Sequence, residues 1–325
     1  MTVSRRRFLQ GSAAVAAAAS IGLDLSAEAL AKAPMQGGQA PGFYRMKIGE
    51  IEVTALMDGA LDLELKLFPE AEKAKNEAEA LLSAAGRPKT GTPGAINAFV
   101  VNTGEQLILV DTGAGAFFGP QAGLFDDNLK ASGYDFASVD VVIVTHMHPD
   151  HIGGLFAADG TPALPKAQIL VSEADFMYWT DETRMTQAPE AAKPFFQLAS
   201  ATAQAYAGRI DQFKDGHEPA KGISLVAAPG HTQGHSMVRI SSGDDALLIW
   251  ADVVHAAALQ FARPDWAIQF DTDQAQAIAT RKKVFDQVAS EGVLVAGAHL
   301  DFPGFGRVSR EKDAYRYNPA FWTPR

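Results

Sequence analysis

Three imidazoles and one carboxylate fall within six residues of the stretch Thr145-His146-Met147-His148-Pro149-Asp150-His151-Ile152-Gly153-Gly154-Leu155. The preceding residues, 139–144, are mostly β-branched and predict a buried strand. In α/β proteins, ligands commonly bind where such a strand ends. Nitrogen and oxygen donors at this density suit a first-row divalent metal, with zinc as the first choice. The stretch therefore predicts a metal site at a strand end rather than an ordinary polar loop.

Composition narrows both the class of protein and the kind of metal ligand. The 325 residues are 47% hydrophobic, and the formal net charge is -10 without a basic stripe, which argues against nucleic-acid binding. There is no cysteine, so disulfides and thiolate ligands are excluded. The available donors are carboxylates and eight histidines, at positions 146, 148, 151, 217, 231, 235, 255 and 299.

The N-terminus has the pattern of an export signal. Ser4-Arg5-Arg6-Arg7-Phe8-Leu9-Gln10 is a twin-arginine sequence, and an alanine-rich apolar stretch follows. That stretch is short for a membrane anchor, which favours cleavage after Ala31 or Ala33. We predict a cleaved signal peptide at residues 1–33 and a hydrolase domain at residues 34–325. The mature protein would be periplasmic or secreted and would meet a membrane only during export.

The hydrophobic pattern predicts an α/β fold in which the order of strand, loop and helix occurs twice, roughly at residues 43–220 and 221–325. This order favours two facing sheets with helices outside. A chain break is predicted at residues 91–94, and a helix start at Ser172 with Asp175 as a capping acid. The predicted strands are 43–48, 51–56, 96–101, 106–110, 139–144, 168–171, 223–227, 237–240, 246–250 and 293–296, and the predicted helices are 70–82, 124–132, 190–207 and 274–289.

Further candidate ligands follow three other predicted strands. His231 follows the strand at 223–227, Asp252 the one at 246–250, and His299 the one at 293–296. Together with the four donors of the first stretch they make five histidines and two aspartates, too many for one metal and suited to two. His217 is expected at the surface, and His255 either near the ligands or in the core.

The chain resembles the metallo-β-lactamase fold hydrolases in motifs that span the mature sequence: His146-x-His148-x-Asp150-His151, Gly230-His231-Thr232-Gln233-Gly234-His235, Asp252 and His299. The resemblance implies an αββα sandwich of two mixed sheets with helices outside. It implies a first metal on His146, His148 and His231, a second on Asp150, His151 and His299, and Asp252 between them. By the same resemblance, Asp111 and His235 would orient ligands rather than bind metal.

Several longer stretches resemble one subgroup, the methyl parathion hydrolases. They are residues 40–46, 145–151, 281–283, 296–304 and 315–317. The subgroup cleaves organophosphate triesters, and its near relatives open lactones and aryl esters. This resemblance implies two divalent ions, zinc by default and manganese, cobalt or iron as alternatives. It also implies a homodimer, and an aromatic pocket for which the candidates are Phe118, Trp179, Phe195 and Phe196.

The expected reaction is hydrolysis of a small neutral ester. Two metals lower the pKa of a shared water toward neutrality, so hydroxide attacks phosphorus or a carbonyl carbon. Asp252 and Asp150 are the carboxylates assigned to this step. Organophosphate triesters are the first expected substrates, and lactones or aryl esters the alternative. An exported metal-binding protein without turnover is a third hypothesis, disfavoured because all seven ligands are present.

Overall fold

Two β-sheets form the centre of the molecule. The computed structural model describes residue 35 and residues 37–323, and the predicted signal peptide lies outside that part of the chain. The first sheet has the strand order β1-β2-β3-β4-β5-β6-β7 and the second β13-β12-β11-β10-β9-β8. The strands are Phe43–Ile48, Ile51–Glu64, Gly91–Asn102, Leu107–Val110, Val141–Val144, Gln168–Ser172 and Ile210–Phe213 (β1–β7), then Ile223–Ala227, Ser236–Ser242, Asp245–Ala251, Leu294–Gly297, Phe305–Glu311 and Ala314–Pro319 (β8–β13).

Helices cover the outer faces of both sheets. One apolar cluster joins residues of the two sheets, a second packs the first sheet against helices, and a third packs the second sheet against the longest helix. These layers confirm the predicted αββα sandwich. The helices are Pro69–Lys73, Lys75–Ala84, Phe125–Ala131, Pro149–Ile152, Glu173–Trp179, Glu182–Gln187, Lys193–Ala205, Ala257–Gln260 and Gln274–Glu291 (α1–α9).

Parallel pairing places the predicted strand ends on the same side of each sheet. In the first sheet, β4, β5, β6 and β7 run parallel, and the histidine stretch follows the carboxyl end of β5. In the second sheet, β10 and β11 run parallel, and Asp252 and His299 follow them. Ligands of open α/β sheets bind at such carboxyl ends, so this pairing gathers donors that are distant in sequence.

Three local predictions were wrong. Residues 91–94 are the first part of β3 rather than a break, because they pair with the long strand β2 as far as Glu64. The predicted helix at 70–82 is two helices, separated at Ala74. The third was wrong only in part: α5 does begin directly after Ser172, but the Ser172 side chain makes no capping bond, and Asp175 bonds elsewhere, as described below.

Within the residues that the structure describes, no helix combines the length and hydrophobicity needed to cross a bilayer.

Candidate metal centre

Three imidazoles converge on one point at the carboxyl ends of the strands. His231 Nε2 lies 3.2 Å from His146 Nε2 and 3.0 Å from His148 Nδ1. All three side chains are buried, and burial lowers the pKa of each well below its ordinary value. The rings are therefore neutral near pH 7, and their lone pairs are free to bind metal. The triad could hold one divalent ion.

A second group of donors lies beside the first. Asp150 Oδ2 is 3.6 Å from His151 Nε2 and 3.5 Å from His299 Nε2. Burial lowers the pKa of both imidazoles, but the neighbouring carboxylates outweigh it and raise the pKa of His151 and His299. The three donor atoms lie within 4.8 Å of one another, as those of the first triad do.

Asp252 lies between the two groups. Its Oδ2 is 3.3 Å from His231 Nε2 and 2.9 Å from His299 Nε2, and its Oδ1 is 3.3 Å from His151 Nε2. Burial raises its pKa, but the surrounding imidazoles reverse this and leave the pKa well below the usual range. The side chain is thus a carboxylate in contact with both groups, as a bridging ligand requires.

Unsatisfied atoms support the presence of metal. Asp252 Oδ1 and His151 Nε2 are buried and have no hydrogen-bond partner in the described part of the chain. A buried polar atom without a partner costs about 1–3 kcal/mol, so such atoms usually have a missing ligand, water or ion. Five imidazoles and two carboxylates around these atoms match the donor preferences of zinc and its neighbours.

Asp111 orients the histidine stretch, as the resemblance implies. Its Oδ2 lies 2.8 Å from His151 Nδ1 and accepts a hydrogen bond from Thr145 Oγ1 (2.7 Å). Its Oδ1 accepts a hydrogen bond from Thr145 N (2.8 Å). The backbone of Asp111 is in the left-handed region (φ +62°), and so is Ala251 (φ +48°), directly before Asp252. Such strain collects at functional sites, where the surrounding structure holds it in place.

Two further carboxylates position the ligand loops, and sequence reasoning missed both roles. Asp271 Oδ1 lies 2.9 Å from His231 Nδ1, so this ring presents Nε2 to the triad. Asp175 accepts from Met147 N (2.8 Å) and from Gly234 N (2.6 Å), which ties the two histidine loops together. Each contact spans 28 to 59 residues, and no local motif signals it.

The remaining histidines have distinct surroundings. His235 Nδ1 bonds to Ala228 O (2.9 Å), and its Nε2 accepts from Asp252 N (3.1 Å), so it supports the bridging residue instead of facing the triad. His255 is buried with Nε2 3.2 Å from Asp252 Oδ2, and neither ring nitrogen has a hydrogen-bond partner among the described residues. His217 is exposed.

Comparison with known proteins agrees with this geometry. The model of the metallo-beta-lactamase superfamily matches residues 91–299, which include all seven donors. The chain belongs to the metallo-beta-lactamase superfamily. A second model, the twin-arginine translocation signal sequence, matches residues 2–22, so this superfamily member is exported to the periplasm or beyond.

Solved structures include similar hydrolases. The crystal structure of hydrolase AbOPH is 32% identical, covers 88% of this chain and all of that one, and has a TM-score of 0.81. The dizinc quorum-quenching lactonase AidC, solved with the product N-hexanoyl-L-homoserine, is 28% identical over 87% of this chain and 99% of that one, with a TM-score of 0.82.

Curated relatives match less of the chain. A probable metallo-hydrolase of Mycobacterium tuberculosis is 25% identical over 190 residues, which is 48% of this chain and 56% of that protein. The chain spans 16% to 56% of the length of the curated relatives that it matches. These findings make the chain a metal-dependent hydrolase of this superfamily.

Above the donors lies a small cavity of about 220 Å³. Phe118 and Phe195 line it, while Trp179 and Phe196 are buried in the core and border a neighbouring groove of about 620 Å³. The prediction thus placed two of its four aromatic residues at the cavity. It omitted other lining residues: Leu61, Asp62, Leu63, Gln121, His255 and Phe270.

Removing Asp271 is expected to weaken metal binding. In Asp271→Ala, the His231 Nδ1–H loses its acceptor, and such outer contacts usually account for about 10–100-fold in metal affinity. Zinc affinity, measured by competition with a chelator, should fall by that factor. Asp271→Asn keeps an acceptor oxygen and should lose less. Unchanged zinc affinity in the alanine variant would show that Asp271 does not orient His231.

Proposed function

We propose that this protein hydrolyses small neutral esters with two divalent metal ions. The observation that carries the proposal is the placement of seven buried donors directly below a cavity walled by apolar and aromatic side chains. No lysine or arginine is among the described residues that line this cavity. Three acidic residues do line it, namely Asp62, Asp150 and Asp252. Asp150 and Asp252 are assigned to the metal ions, so Asp62 is the remaining acidic group of the lining. A neutral substrate avoids repulsion from Asp62, whereas a polyanion would find no cationic side chain among these lining residues to bind its remaining charges.

When bound, two such ions lower the pKa of a shared water toward about 7 and polarise the ester oxygen. The residues of the chain supply the frame for this chemistry. His146, His148 and His231 would hold one ion and Asp150, His151 and His299 the other, while the carboxylate of Asp252 contacts both groups of donors. Asp111 and Asp271 fix the orientation of two of these rings through hydrogen bonds. The aromatic walls exclude water from the substrate, which strengthens every charge interaction inside.

Lactones are the neutral esters that this site favours. The lactonase AidC resembles this chain over 87% of this chain and 99% of its own length. The imidazole of His255, whose ring nitrogens have no hydrogen-bond partner among the described residues, lines the cavity beside Asp252 and can hydrogen-bond to the ring oxygen of a lactone. This hydrogen bond helps most when the leaving oxygen is an alkoxide or phenoxide more basic than a nitrophenoxide, because a more basic oxygen gains more from a proton donor.

Organophosphate triesters are the second candidate. They are neutral, the sequence resembles methyl parathion hydrolases, and an apolar cavity accepts their alkyl and aryl groups. A tetrahedral phosphorus carries three ester substituents, however, and a cavity of about 220 Å³ lies below the range of about 300–1,000 Å³ that is typical of ligand sites. A flat bicyclic lactone fits such a space with less rearrangement. The homodimer expected from the subgroup and zinc as the metal remain part of the proposal.

A rate comparison across three substrates tests this assignment. We expect kcat/KM for the aromatic lactone dihydrocoumarin to exceed that for a dialkyl nitrophenyl phosphate by at least about ten-fold, equivalent to about 1.4 kcal/mol. An acyl homoserine lactone should also be opened, with its acyl chain in the neighbouring groove. The reverse order would make the triester the preferred substrate. No turnover of any of the three by zinc-loaded protein would refute ester hydrolysis.

A further inference from the structure

Asp58 occupies an irregular position in the long strand β2. The register of β2 against β3 shifts between Met57 and Gly59, so Asp58 is the extra residue of a β-bulge. Bulges redirect a side chain out of the regular alternation of a strand. The side chain of Asp58 is completely buried, although a carboxylate is among the groups least often buried without a partner. A specific set of contacts must therefore hold it.

Those contacts go to one loop, residues 114–124, and to Phe125, the first residue of α3, which follows the loop directly. Oδ2 of Asp58 accepts from Ala114 N (2.9 Å), and Oδ1 accepts from Gly123 N (3.1 Å) and Phe125 N (2.9 Å). The backbone oxygen of Asp58 also accepts from Leu124 N (2.9 Å). Burial raises the pKa of Asp58, whereas the three amide hydrogen bonds lower it. A single side chain thus anchors both ends of the loop.

Two glycines allow the loop to approach the strand this closely. A Cβ on Gly59 would lie 2.3 Å from the backbone oxygen of Gln121, and a Cβ on Gly113 would lie 2.6 Å from Cγ of Asp58. Gly113 also has φ +74°, a left-handed conformation that favours glycine. The loop backbone can therefore pack directly against the bulge of β2, where the carboxylate of Asp58 holds it.

The loop supplies part of the cavity wall. Phe118 and Gln121 line the cavity from the loop, and β2 itself continues from Asp58 to Leu61 and Leu63, which line it too. Next to Phe118 in the loop, Phe117 packs edge-on against Phe118 (ring centroids 5.0 Å apart) and against Phe195 (5.9 Å). The position of this aromatic wall therefore depends on where the loop is held.

We propose that Asp58 is a positioning residue that selects substrates by their size and shape. It does so by holding the loop 114–124 so that Phe118 faces the part of the ester remote from the bond that breaks. Asp58 is not among the residues that line the cavity above the metal centre. The inference rests on the proposed ester hydrolysis for its kinetic consequence, but the tethering of the loop can be measured without any substrate.

The test compares Asp58→Asn and Asp58→Ala with Asp140→Asn. Asp140 is a matched control because its carboxylate also accepts a backbone N–H, from Leu107 (2.9 Å), but it lies before β5, at the strand end opposite to the histidines. Asparagine keeps one acceptor oxygen, so in Asp58→Asn hydrogen exchange should accelerate by about ten-fold or more at the amides of one end of the loop, either Ala114 or Gly123 and Phe125, the change expected from a lost hydrogen bond. The acceleration should be greater in Asp58→Ala and absent in Asp140→Asn.

Steady-state kinetics then show whether Asp58 affects the choice of substrate or only supports the structure. With zinc content unchanged, KM for dihydrocoumarin should rise about ten-fold in Asp58→Asn, whereas kcat for this lactone and KM for the small γ-butyrolactone should stay close to wild type. An equal loss of kcat on both lactones, or loss of zinc, would instead assign Asp58 to the metal frame and overturn the proposal. Unchanged amide exchange would overturn it as well.

If the wild-type protein opens neither lactone, the assignment of lactones as substrates is wrong and the exchange measurement alone decides the tethering. Asp58→Asn covers the case in which Asp58→Ala does not fold, because the asparagine side chain keeps one acceptor oxygen and nearly the same volume.

Discussion

Asp252→Ala is expected to reduce ester hydrolysis by at least about a thousand-fold, because charge stabilisation by a bound metal supplies several kcal/mol and about 1.4 kcal/mol corresponds to each factor of ten. Asp252 is the one carboxylate in contact with both donor groups, through His231 and His299 on one oxygen and His151 on the other. Without it, neither the separation of the two ions nor their affinity is maintained. Steady-state rates and elemental analysis should show the loss of activity together with at least one metal ion.

The control for this substitution is Asp301→Asn. Asp301 follows His299 by two residues, but its side chain is largely exposed and pairs with Arg87. This variant should keep its activity and metal content. Circular dichroism of Asp252→Ala should match the wild type, since the removed group contributes to the metal centre and not to the apolar core. More than about a tenth of wild-type activity in Asp252→Ala would contradict the bridging role, because it would correspond to less than about 1.4 kcal/mol.

Removal of metal by a chelator is expected to abolish activity and lower Tm. Two ions per chain should be found beforehand by elemental analysis. A ligand at about 100 times its Kd stabilises the folded state by about 2.7 kcal/mol, and in proteins of 150–250 residues each kcal/mol shifts Tm by roughly 2–4 °C. A fall in Tm of several degrees, reversed together with activity on adding zinc, is the expected result. One tightly bound ion in fully active protein would refute the binuclear assignment.

The lowered pKa values of the first three histidine ligands also predict how metal binding responds to a fall in pH. Burial lowers the pKa of His146, His148 and His231 below 6.5. A proton competes with metal for an imidazole only once the pH approaches the pKa of that ring in the folded protein. The first ion should therefore remain bound at pH 6, where an ordinary histidine is mostly protonated. Elemental analysis after dialysis at pH 8 and pH 6 measures this, and loss of both ions at pH 6 would contradict it.

The seven candidate metal ligands could be predicted from the sequence because each one follows a strand with a recognisable local pattern. His146, His148, Asp150 and His151 directly follow a β-branched strand, and Asp252 and His299 follow two others. A strand of four to seven residues has a recognisable pattern, and its end places the next side chain at the edge of a sheet. The same reasoning gave the two facing sheets.

The supporting carboxylates could not be predicted in this way. Asp58, Asp175 and Asp271 bond to residues 28 to 67 positions away, and their sequence surroundings resemble those of ordinary turns and helix starts. Asp175 illustrates the difficulty. Its spacing from Ser172 is that of a helix cap, yet it serves the two histidine loops instead. A capping motif and a long-range tether use the same side chain, and only the folded structure distinguishes them.

The residues of the pocket separate what the sequence determines from what only the tertiary structure determines. Sequence alone determined the donor chemistry, since cysteine is absent and histidine and aspartate recur at strand ends, and it determined the export signal and the layered fold. Only the tertiary structure decided that Phe118 and Phe195 line the cavity while Trp179 and Phe196 pack in the core. An aromatic side chain is favoured equally by a core and by an apolar cavity, because both remove the same surface from water. Which of the two it occupies depends on how loops distant in sequence are held, as Asp58 holds the loop 114–124.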